Sequence, residues 1–132
     1  MLGRLPLFEG ISSESMARLA EVAGAQEFAA GDYIVRQGQV GTGLYVIIEG
    51  AAAVVRGSDE VSQLAAGDFF GELAVIDQMP RSASVRAETP TRCLAIASWD
   101  LLKLLDEDRA LSRNLINGLV ARLRAAGEHH RH

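Results

Sequence analysis

The stretch from Asp68 to Val85, which reads D-F-F-G-E-L-A-V-I-D-Q-M-P-R-S-A-S-V, decides how this sequence is interpreted. A short apolar run begins directly after glycine and glutamate and, beyond a proline, ends at Arg-Ser-Ala-Ser. A half-buried strand would alternate apolar and polar residues, which this run does not do. A core helix is not normally bordered so closely by a glycine, a carboxylate and a guanidinium. These borders indicate that something outside the chain completes a site.

The residues at the two borders fit an anion. Residues 71–77 can form one or two helical turns, and the N-terminus of a helix attracts phosphate through its unpaired N–H groups and positive dipole end. Gly71 permits close backbone approach, and Arg81 can return a planar fork of donors to the same anion. Glu72 would repel a phosphate alone but can accept hydrogen bonds from ribose hydroxyls. A nucleotide fits these residue types, and so does a surface ion pair between Glu72 and Arg81 beside an ordinary turn at Gly71.

The length and charge of the chain limit the classes of function. Residues 1–132, of which 48% are hydrophobic and 23% charged, fit one globular domain with a single core. The formal net charge of −4 disfavours non-specific attraction to nucleic acid or to an anionic membrane. No apolar run approaches the roughly 20 residues that span a bilayer, and the N-terminus lacks the pattern of a secretion signal. We therefore expect a soluble, cytoplasmic protein that binds neither nucleic acid nor membrane.

The cysteine and histidine content argues against catalysis and metal binding. Cys93 is the only cysteine, so no intrachain disulfide or thiolate metal cluster can form, and a buried structural thiol is expected. All three histidines lie among the last four residues, which leaves no imidazole for a metal-dependent β-barrel enzyme of the cupin type. No residues suggest a nucleophile–base pair. We expect a protein that is not an enzyme and holds no metal.

Hydrophobic periodicity divides the chain into three parts. A helix is predicted from about residue 12 to 24, where Ser12 or Ser13 can cap its start. From about residue 25 to 97, short β-rich runs alternate with glycine-containing turns, which suggests a barrel or sandwich. Helical spacing returns from about residue 98 to 127, first in a short helix and then in a longer one.

The longer terminal helix carries an apolar stripe that covers about half of its circumference. A stripe of this width exceeds what one contact surface usually needs. It can pack broadly on the barrel of its own chain, or part of it can meet a second copy or cover a ligand. The residues of the stripe are Leu111, Leu115, Ile116, Leu119, Val120 and Leu123.

The quoted stretch resembles the phosphate-binding cassette of the cyclic nucleotide-binding domain family, whose pattern is F-G-E-[LM]-A-L-x…P-R-[AST]-A-[ST]-V. Three further segments, L-P-L-F-E-G-I-S, F-A-A-G-D-Y-I-V-R-Q-G and L-Y-V-I-I-E-G, occur in the family's order, so the resemblance covers most of residues 5 to 125. It implies an α+β, mainly β fold. The centre is an eight-stranded β-roll of the double-stranded β-helix or jelly-roll type, with the cassette at 69–85, flanked by an N-terminal helix and C-terminal helices.

The resemblance also implies roles for the cassette residues. Gly71 and Ala83 correspond to the backbone donors to the cyclic phosphate, Glu72 to the acceptor for the ribose 2′-hydroxyl, and Arg81 to the charge partner of the exocyclic oxygens. Ser82 matches a position where cGMP-selective members commonly have threonine, whose hydroxyl also meets the guanine amino group. Serine at this position leaves the identity of the base undecided, and cAMP is the favoured ligand.

Further positions are implied around the base and the phosphate. Val54 and Val61 lie where members of the family pack apolar side chains on the purine, and Leu73 lies close behind the phosphate, followed in the cassette by the ligand-binding position Ala74. As core residues, Val54, Val61 and Leu73 need no ligand to explain them. Where some members clamp adenine with a polar side chain from the last helix, this chain has Ala126, which cannot donate a hydrogen bond.

The expected function is that of a stand-alone regulatory module that binds a cyclic nucleotide, with no other cofactor. The 132 residues contain no helix-turn-helix, kinase, channel or cyclase segment. The module is therefore expected to act through an unknown effector protein, through a homodimer formed by the C-terminal helix, or as a piece of something larger. Binding would shift the terminal helices or the partner contacts. The alternative is a non-binding structural or dimerisation module of the same fold.

Overall fold

Glycine and polar turns divide the middle of the chain into eight strands, counted over the residues that the structure describes. It is a computed structural model that describes residues 5–40, 43–71 and 81–129, the last four of these for their backbone only. The strands are β1 (Gly24–Phe28), β2 (Tyr33–Val35), β3 (Gly43–Glu49), β4 (Ala51–Arg56), β5 (Asp59–Ala65), β6 (Phe69–Phe70), β7 (Ser84–Ala87) and β8 (Thr91–Ala97).

These strands form two four-stranded antiparallel sheets. The first has the order β1-β8-β3-β6 and the second the order β2-β7-β4-β5. Of the paired strands, β4 and β5 alone are consecutive in the chain, so most of the pairing joins distant segments. This topology, with a helix before the strands and helices after them, confirms the predicted β-roll and its flanking helices.

The four edge strands of the two sheets are either short or polar. β6 has two residues and β2 has three. β1 and β5 are longer, but nearly all of their side chains are exposed, and most of these are polar or small. The edges of the roll therefore offer little continuous apolar surface.

Capping side chains mark the start of the first and the last of the described α-helices. A 3-10 helix (Pro6–Phe8) precedes α1 (Ser13–Val22), and the strands are followed by α2 (Ser98–Glu107) and α3 (Arg109–His129). Ser12 caps α1, because its hydroxyl accepts a hydrogen bond from the N–H of Ser15 at 3.1 Å.

Asp108 caps α3 and also binds the start of α1. Its Oδ1 accepts from the N–H of Leu111 at 3.2 Å, and its Oδ2 accepts from the N–H of Ser12 at 3.0 Å. One carboxylate therefore joins helices that lie at opposite ends of the sequence.

The first sheet separates two apolar cores. Successive residues of β3 alternate between them: Leu44 and Val46 face the helices, whereas Tyr45 and Ile47 face the inside of the roll. The core between sheet and helices is built around Leu7, Phe8, Leu19, Leu44, Val46, Phe69, Leu94, Ile96, Leu101, Leu104, Leu111 and Leu115. The core inside the roll is built around Ile34, Val35, Ile47, Ala52, Leu64, Phe70, Val85, Ala87 and Cys93.

The apolar stripe of α3 divides between core and solvent. Leu111 and Leu115 are buried against the sheet, and Leu119 is partly buried beside them. The other three residues of the stripe are exposed: Ile116 by 57%, Val120 by 41% and Leu123 by 72%. The alternative in which the whole stripe packs on the chain's own barrel is therefore wrong for Ile116, Val120 and Leu123.

α3 is held to the rest of the domain by polar contacts and by one close approach. The Asn114 amide donates to the carbonyl oxygens of Leu7 at 2.9 Å and Glu9 at 2.8 Å. The Arg122 guanidinium donates to the Phe69 carbonyl and lies over the Phe69 ring, with Cζ 4.6 Å from the centroid. Gly118 faces the same ring, where a Cβ would lie 2.6 Å from its edge. The helix thus contacts β6 directly.

Cys93 lies in the core inside the roll, as the sequence predicts for a structural thiol. Burial raises the pKa of this thiol to about 11, which leaves little reactive thiolate near neutral pH. Among the described residues, no helix is long and apolar enough to cross a membrane. The same residues contain no group of three or more His, Cys, Asp or Glu placed to hold a metal ion.

Candidate functional site

The cassette glycine and arginine meet at the end of β6. Gly71 follows β6 with φ +92°, a conformation that residues with a Cβ rarely adopt. A Cβ at this position would lie 2.7 Å from Nη1 of Arg81 and 2.8 Å from the carbonyl oxygen of Gly43. Glycine is therefore required both by the backbone angle and by the guanidinium beside it.

The Arg81 side chain is half-buried and is held by contacts with β3. Its Nη2 donates to the Gly43 carbonyl at 3.2 Å, and its Cζ lies 5.9 Å from the centroid of the Tyr45 ring. Its backbone is fixed as well: the N–H of Arg81 donates to the Gln39 carbonyl at 2.8 Å, and its carbonyl accepts from the N–H of Gly38 at 2.9 Å. These contacts hold the guanidinium close to the Gly71 backbone.

An aromatic pair connects the cluster formed by Gly43, Gly71 and Arg81 to the core inside the roll. Tyr45 and Phe70 are partners in the β3–β6 register, and their rings stack with centroids 5.3 Å apart and planes 8° from parallel. Phe70 directly precedes Gly71, and Tyr45 lies beneath the Arg81 guanidinium. The position of the cluster is therefore set by packed rings as well as by hydrogen bonds.

The residues after Arg81 lead into β7. Ser82 is exposed, and Ala83 is half-buried. The hydroxyl of Ser84 accepts from the N–H of Gln37 at 2.8 Å, which ties the start of β7 to the turn after β2. The segment that follows the arginine is thereby held against the turn that also binds the backbone of Arg81.

The two valines expected near a base occupy different environments. Val54 is half-buried and packs on the core inside the roll, opposite Val85. Val61 is 48% exposed, and the shift in the β4–β5 register between Val54 and Val55 leaves it without a partner directly opposite. A core role is therefore wrong for Val61, whose side chain is exposed.

Several predicted site residues lie outside the described part of the chain. These are Glu72, Leu73 and Ala74, together with the helical turn expected beyond Gly71. The surface ion pair between Glu72 and Arg81 lies outside it for the same reason. Ala126 belongs to the backbone of α3, but its side chain is not among those described.

Gly43 and Tyr45 are site residues that sequence reasoning did not find. Gly43 contributes a main-chain carbonyl, and Tyr45 contributes a ring face, to an arginine more than thirty residues further along the chain. Neither residue stands out in its own segment, where glycine at a strand end and tyrosine within a strand are ordinary. The pairing of β3 with β6 brings both to the cassette.

The described part of the site is suited to binding an anion. It combines a half-buried guanidinium with a backbone that a side chain would obstruct, and such groups contact phosphate oxygens through charge-assisted hydrogen bonds. None of Gly43, Tyr45, Gly71 and Arg81 is a nucleophile paired with a base.

Comparison with known proteins identifies the family. Residues 25–108 match the sequence profile described as the cyclic nucleotide-binding domain. The chain belongs to the cyclic nucleotide-binding domain family. The match includes the cassette and every strand from β2 to β8, together with α2.

Relatives of this cyclic nucleotide-binding domain include much longer regulatory proteins. The cAMP-dependent protein kinase regulatory subunit of Emericella nidulans is 35% identical over 106 residues, which are 79% of this chain and 26% of that protein. The human potassium/sodium hyperpolarization-activated cyclic nucleotide-gated channel 1 is 29% identical over 128 residues, which are 97% of this chain and 14% of the channel. The chain spans less than a third of the length of the curated relatives it matches.

Solved structures show the same fold. The catabolite activator protein of Thermus thermophilus matches with a TM-score of 0.80 and 30% identity, over 94% of this chain and 61% of that one. The regulatory domain of Toxoplasma gondii PKA, crystallised with cAMP, matches with a TM-score of 0.79 and 28% identity, over 92% of this chain and 47% of that one. The fold of this cyclic nucleotide-binding domain is thus shared with regulatory proteins.

Proposed function

We propose that this domain binds a cyclic nucleotide and acts as a regulatory module rather than as an enzyme. The observation that carries the proposal is the contact between Arg81 and Gly71, where the guanidinium occupies the space of the missing Cβ. A glycine beside a half-buried arginine is suited to binding an anionic group. The absent side chain leaves the backbone N–H accessible, and the guanidinium supplies the opposite charge. The membership of the chain in the family supports this assignment.

The proposed phosphate contacts come from both ends of the cassette. The N–H groups of Gly71 and Ala83 and the guanidinium of Arg81 bind the cyclic phosphate, and Glu72 accepts from the ribose 2′-hydroxyl. Leu73 and Ala74 continue the cassette behind the phosphate. Each such charge-assisted contact is worth about 1.5–3 kcal/mol, so the loss of one is measurable.

The proposed base contacts come from the second sheet. Val61 offers an exposed apolar side chain, and Val54 lies beside it on the neighbouring strand. Ser82 is exposed next to Arg81, and we propose that its hydroxyl meets an edge of the base. cAMP is the favoured ligand and cGMP the second candidate, because serine at this position does not select strongly for guanine.

Regulation requires that the nucleotide favours one arrangement of the domain over another. α3 contacts Phe69, which is followed by Phe70 and Gly71, so a change at the cassette is transmitted to the helix by directly packed residues. The proposed output is a shift of the terminal helices or of their contacts with a partner, within a single cytoplasmic domain that needs no further cofactor. A relative named as a kinase regulatory subunit and a neighbour crystallised with cAMP support this view.

Isothermal titration calorimetry of the full chain with cAMP and with cGMP tests the proposal. We expect cAMP to bind the unmodified protein, and Arg81→Ala and Glu72→Ala each to weaken binding by about ten- to a hundredfold, because a charge-assisted contact is lost. Arg92→Ala is the matched control, since Arg92 is exposed on β8 at the end opposite the pairing with Gly43. Circular dichroism of all three variants checks that the fold is intact.

Unchanged affinity in both site variants would reject the site. The second candidate is a non-binding structural or dimerisation module, which the exposed half of the α3 stripe favours. A dimer in light scattering that does not depend on cAMP, together with no calorimetric response to either nucleotide, would support that candidate instead.

A further inference from the structure

The hairpin formed by β4 and β5 extends past the strand beside it. β4 pairs with β7 as far as Val55, which lies opposite Ser84, the first residue of β7. The turn that follows Val55, residues 56–59, has no pairing partner in β7, and we call it the hairpin tip. β5 is an edge strand, so the hairpin is joined to its sheet through β4 alone. The sheet therefore leaves the tip without support from a neighbouring strand.

Gln37, in the turn after β2, holds the hairpin tip. Its side-chain Oε1 accepts a hydrogen bond from the N–H of Gly57 at 2.9 Å. Within the part of the chain that the structure describes, this is the one hydrogen bond that joins the tip to a residue outside the hairpin. Gln37 and all of residues 56–59 are exposed, so the tip is not fixed by burial. The position of the tip therefore depends on this contact.

The same residue is bound to the segment that follows the cassette arginine. The N–H of Gln37 donates to the hydroxyl of Ser84 at 2.8 Å. The N–H of the next residue, Gly38, donates to the carbonyl of Arg81 at 2.9 Å. Gln37 thus contacts the hairpin tip through its side chain and the start of β7 through its main chain.

The two segments that Gln37 joins carry the two halves of the proposed nucleotide site. The phosphate half contains Arg81, whose guanidinium lies beside Gly71. The base half contains Val54 and Val61, which belong to the hairpin, and Val61 lies at the register shift close to the tip. A movement of the tip would change the separation between Val61 and Arg81. The space available for a base therefore depends on Gln37.

We propose that Gln37 is a positioning residue, which fixes the separation between the base half and the phosphate half of the site and thereby favours a purine over a smaller base. This inference rests on the proposed function. Gln37 needs no contact with the nucleotide, because its hydrogen bonds act on the segments that make such contacts. A pyrimidine buries less apolar surface against the hairpin than a purine does, so its affinity depends less on where the tip lies.

Isothermal titration calorimetry of the full chain with cAMP and with cCMP, which carries cytosine in place of adenine, tests the inference. Gln37→Met keeps the length of the side chain and removes the acceptor. We expect it to weaken cAMP binding by about three- to tenfold, which is the range for one neutral hydrogen bond. The affinity for cCMP should fall by less, so that the preference for the purine decreases. A variant that merely loosened the fold would weaken binding of both nucleotides alike.

Two further variants isolate the hydrogen bond. Gln37→Glu keeps an acceptor oxygen at the same position and should bind cAMP as the unmodified protein does at physiological salt, where an exposed charge is screened. Gln63→Met is the matched control, because Gln63 is exposed on β5 of the same hairpin and its side chain forms no hydrogen bond with the described residues. Its neighbour Leu64 faces the inside of the roll, so Gln63 faces outwards. Circular dichroism checks that every variant is folded.

Solvent exchange of the Gly57 amide, measured by NMR without nucleotide, tests the contact itself. The amide should exchange faster in Gln37→Met than in the unmodified protein, because its acceptor is lost, and Gln37→Glu should restore the slower exchange. This measurement does not depend on any ligand.

Three outcomes would overturn the inference: unchanged cAMP affinity in Gln37→Met, equal losses of affinity for cAMP and cCMP, or Gly57 exchange that Gln37→Met does not alter. In each case, binding of cAMP by the unmodified protein would leave the proposed function intact. Absence of cAMP binding by the unmodified protein would instead reject the proposed function, and with it the role of Gln37.

Discussion

Gly71 combines an unusual backbone conformation with a proposed contact to the ligand. Its φ of +92° is one that an L-residue adopts only at a cost, and its missing Cβ is replaced by the Arg81 guanidinium and the Gly43 carbonyl. Gly57 has a similar angle, φ +64°, but a Cβ there would meet nothing within 4 Å. Substitutions at the two glycines can therefore separate the free-energy cost of the backbone angle from the effect of displacing the guanidinium.

We expect Gly57→Ala to lower the free energy of unfolding by about 1–2 kcal/mol and to leave cAMP affinity unchanged, because only the backbone angle is strained. Gly71→Ala should have the same backbone cost and in addition weaken cAMP binding by at least about tenfold, because its methyl group displaces the guanidinium. Urea denaturation and calorimetry measure the two quantities. Equal cAMP affinity in the two variants would contradict this account.

The cassette could be predicted from sequence, but the residues that support it could not. Gly71 and Arg81 lie in one continuous segment with a specific pattern, which is why they were identified together. Gly43 acts through its carbonyl, a group that every residue has, so residue type carries no information about this contact. Tyr45 reaches Arg81 only through the pairing of β3 with β6, which is a long-range property of the sheet.

At the scale of elements, a substitution at Gly118, where α3 contacts β6, would have two opposing effects on stability. Replacing a helical glycine by alanine ordinarily stabilises a helix by about 1 kcal/mol. A Cβ at Gly118 would, however, lie 2.6 Å from the buried ring of Phe69, which the Arg122 guanidinium covers on one face. The helix and the ring would have to move apart.

We expect the steric cost to exceed the gain in helix propensity, so that Gly118→Ala lowers the free energy of unfolding by about 1–3 kcal/mol. Asn117→Ala is the matched control, because Asn117 is the exposed neighbour and alanine should stabilise the helix there by about 0.5 kcal/mol. Chemical denaturation followed by circular dichroism gives both values. A Gly118→Ala protein more stable than the unmodified one would contradict this prediction, because it would show that the Phe69 ring moves aside at little cost in free energy.

Helical periodicity predicted α3 but could not divide its stripe between core and solvent. The pattern reports which residues share a side of the helix, not what lies against that side. The division follows from tertiary contacts that fix the rotation of the helix, chiefly Asn114 with the 3-10 helix and Arg122 with Phe69. The order of helix, strands and helices was predictable because glycine-rich turns and the change of period mark it directly.

At the scale of the whole molecule, Asp108 links the two helical ends of the chain. Burial alone would raise the pKa of this carboxyl, but hydrogen bonds from Ser12, Ser15 and Leu111 outweigh burial and lower the pKa from 3.8 to about 2. Because the folded-state pKa lies below the unfolded value, the charged carboxylate stabilises the fold above about pH 4. This contribution is lost as the pH falls from about 4 to 2.

We expect Asp108→Asn to have a lower melting temperature than the unmodified protein at pH 7 and a smaller further loss between pH 4 and pH 2, because the amide does not titrate. Asp59→Asn, at the exposed start of β5, is the control and should retain the full acid dependence. Differential scanning calorimetry across this pH range measures the effect. Parallel pH curves for Asp108→Asn and the unmodified protein would exclude this carboxyl as the source.

The edges of the two sheets determine how copies of this protein behave when they are crowded together. An unprotected edge strand invites another chain to add to the sheet, which is a common route to aggregation. Here β2 and β6 are too short to template such an addition, and the exposed residues of β1 and β5 are mostly polar or small. Strand addition is therefore disfavoured at every described edge, and the protein should stay dispersed at concentrations that drive flat, apolar sheets into fibrils.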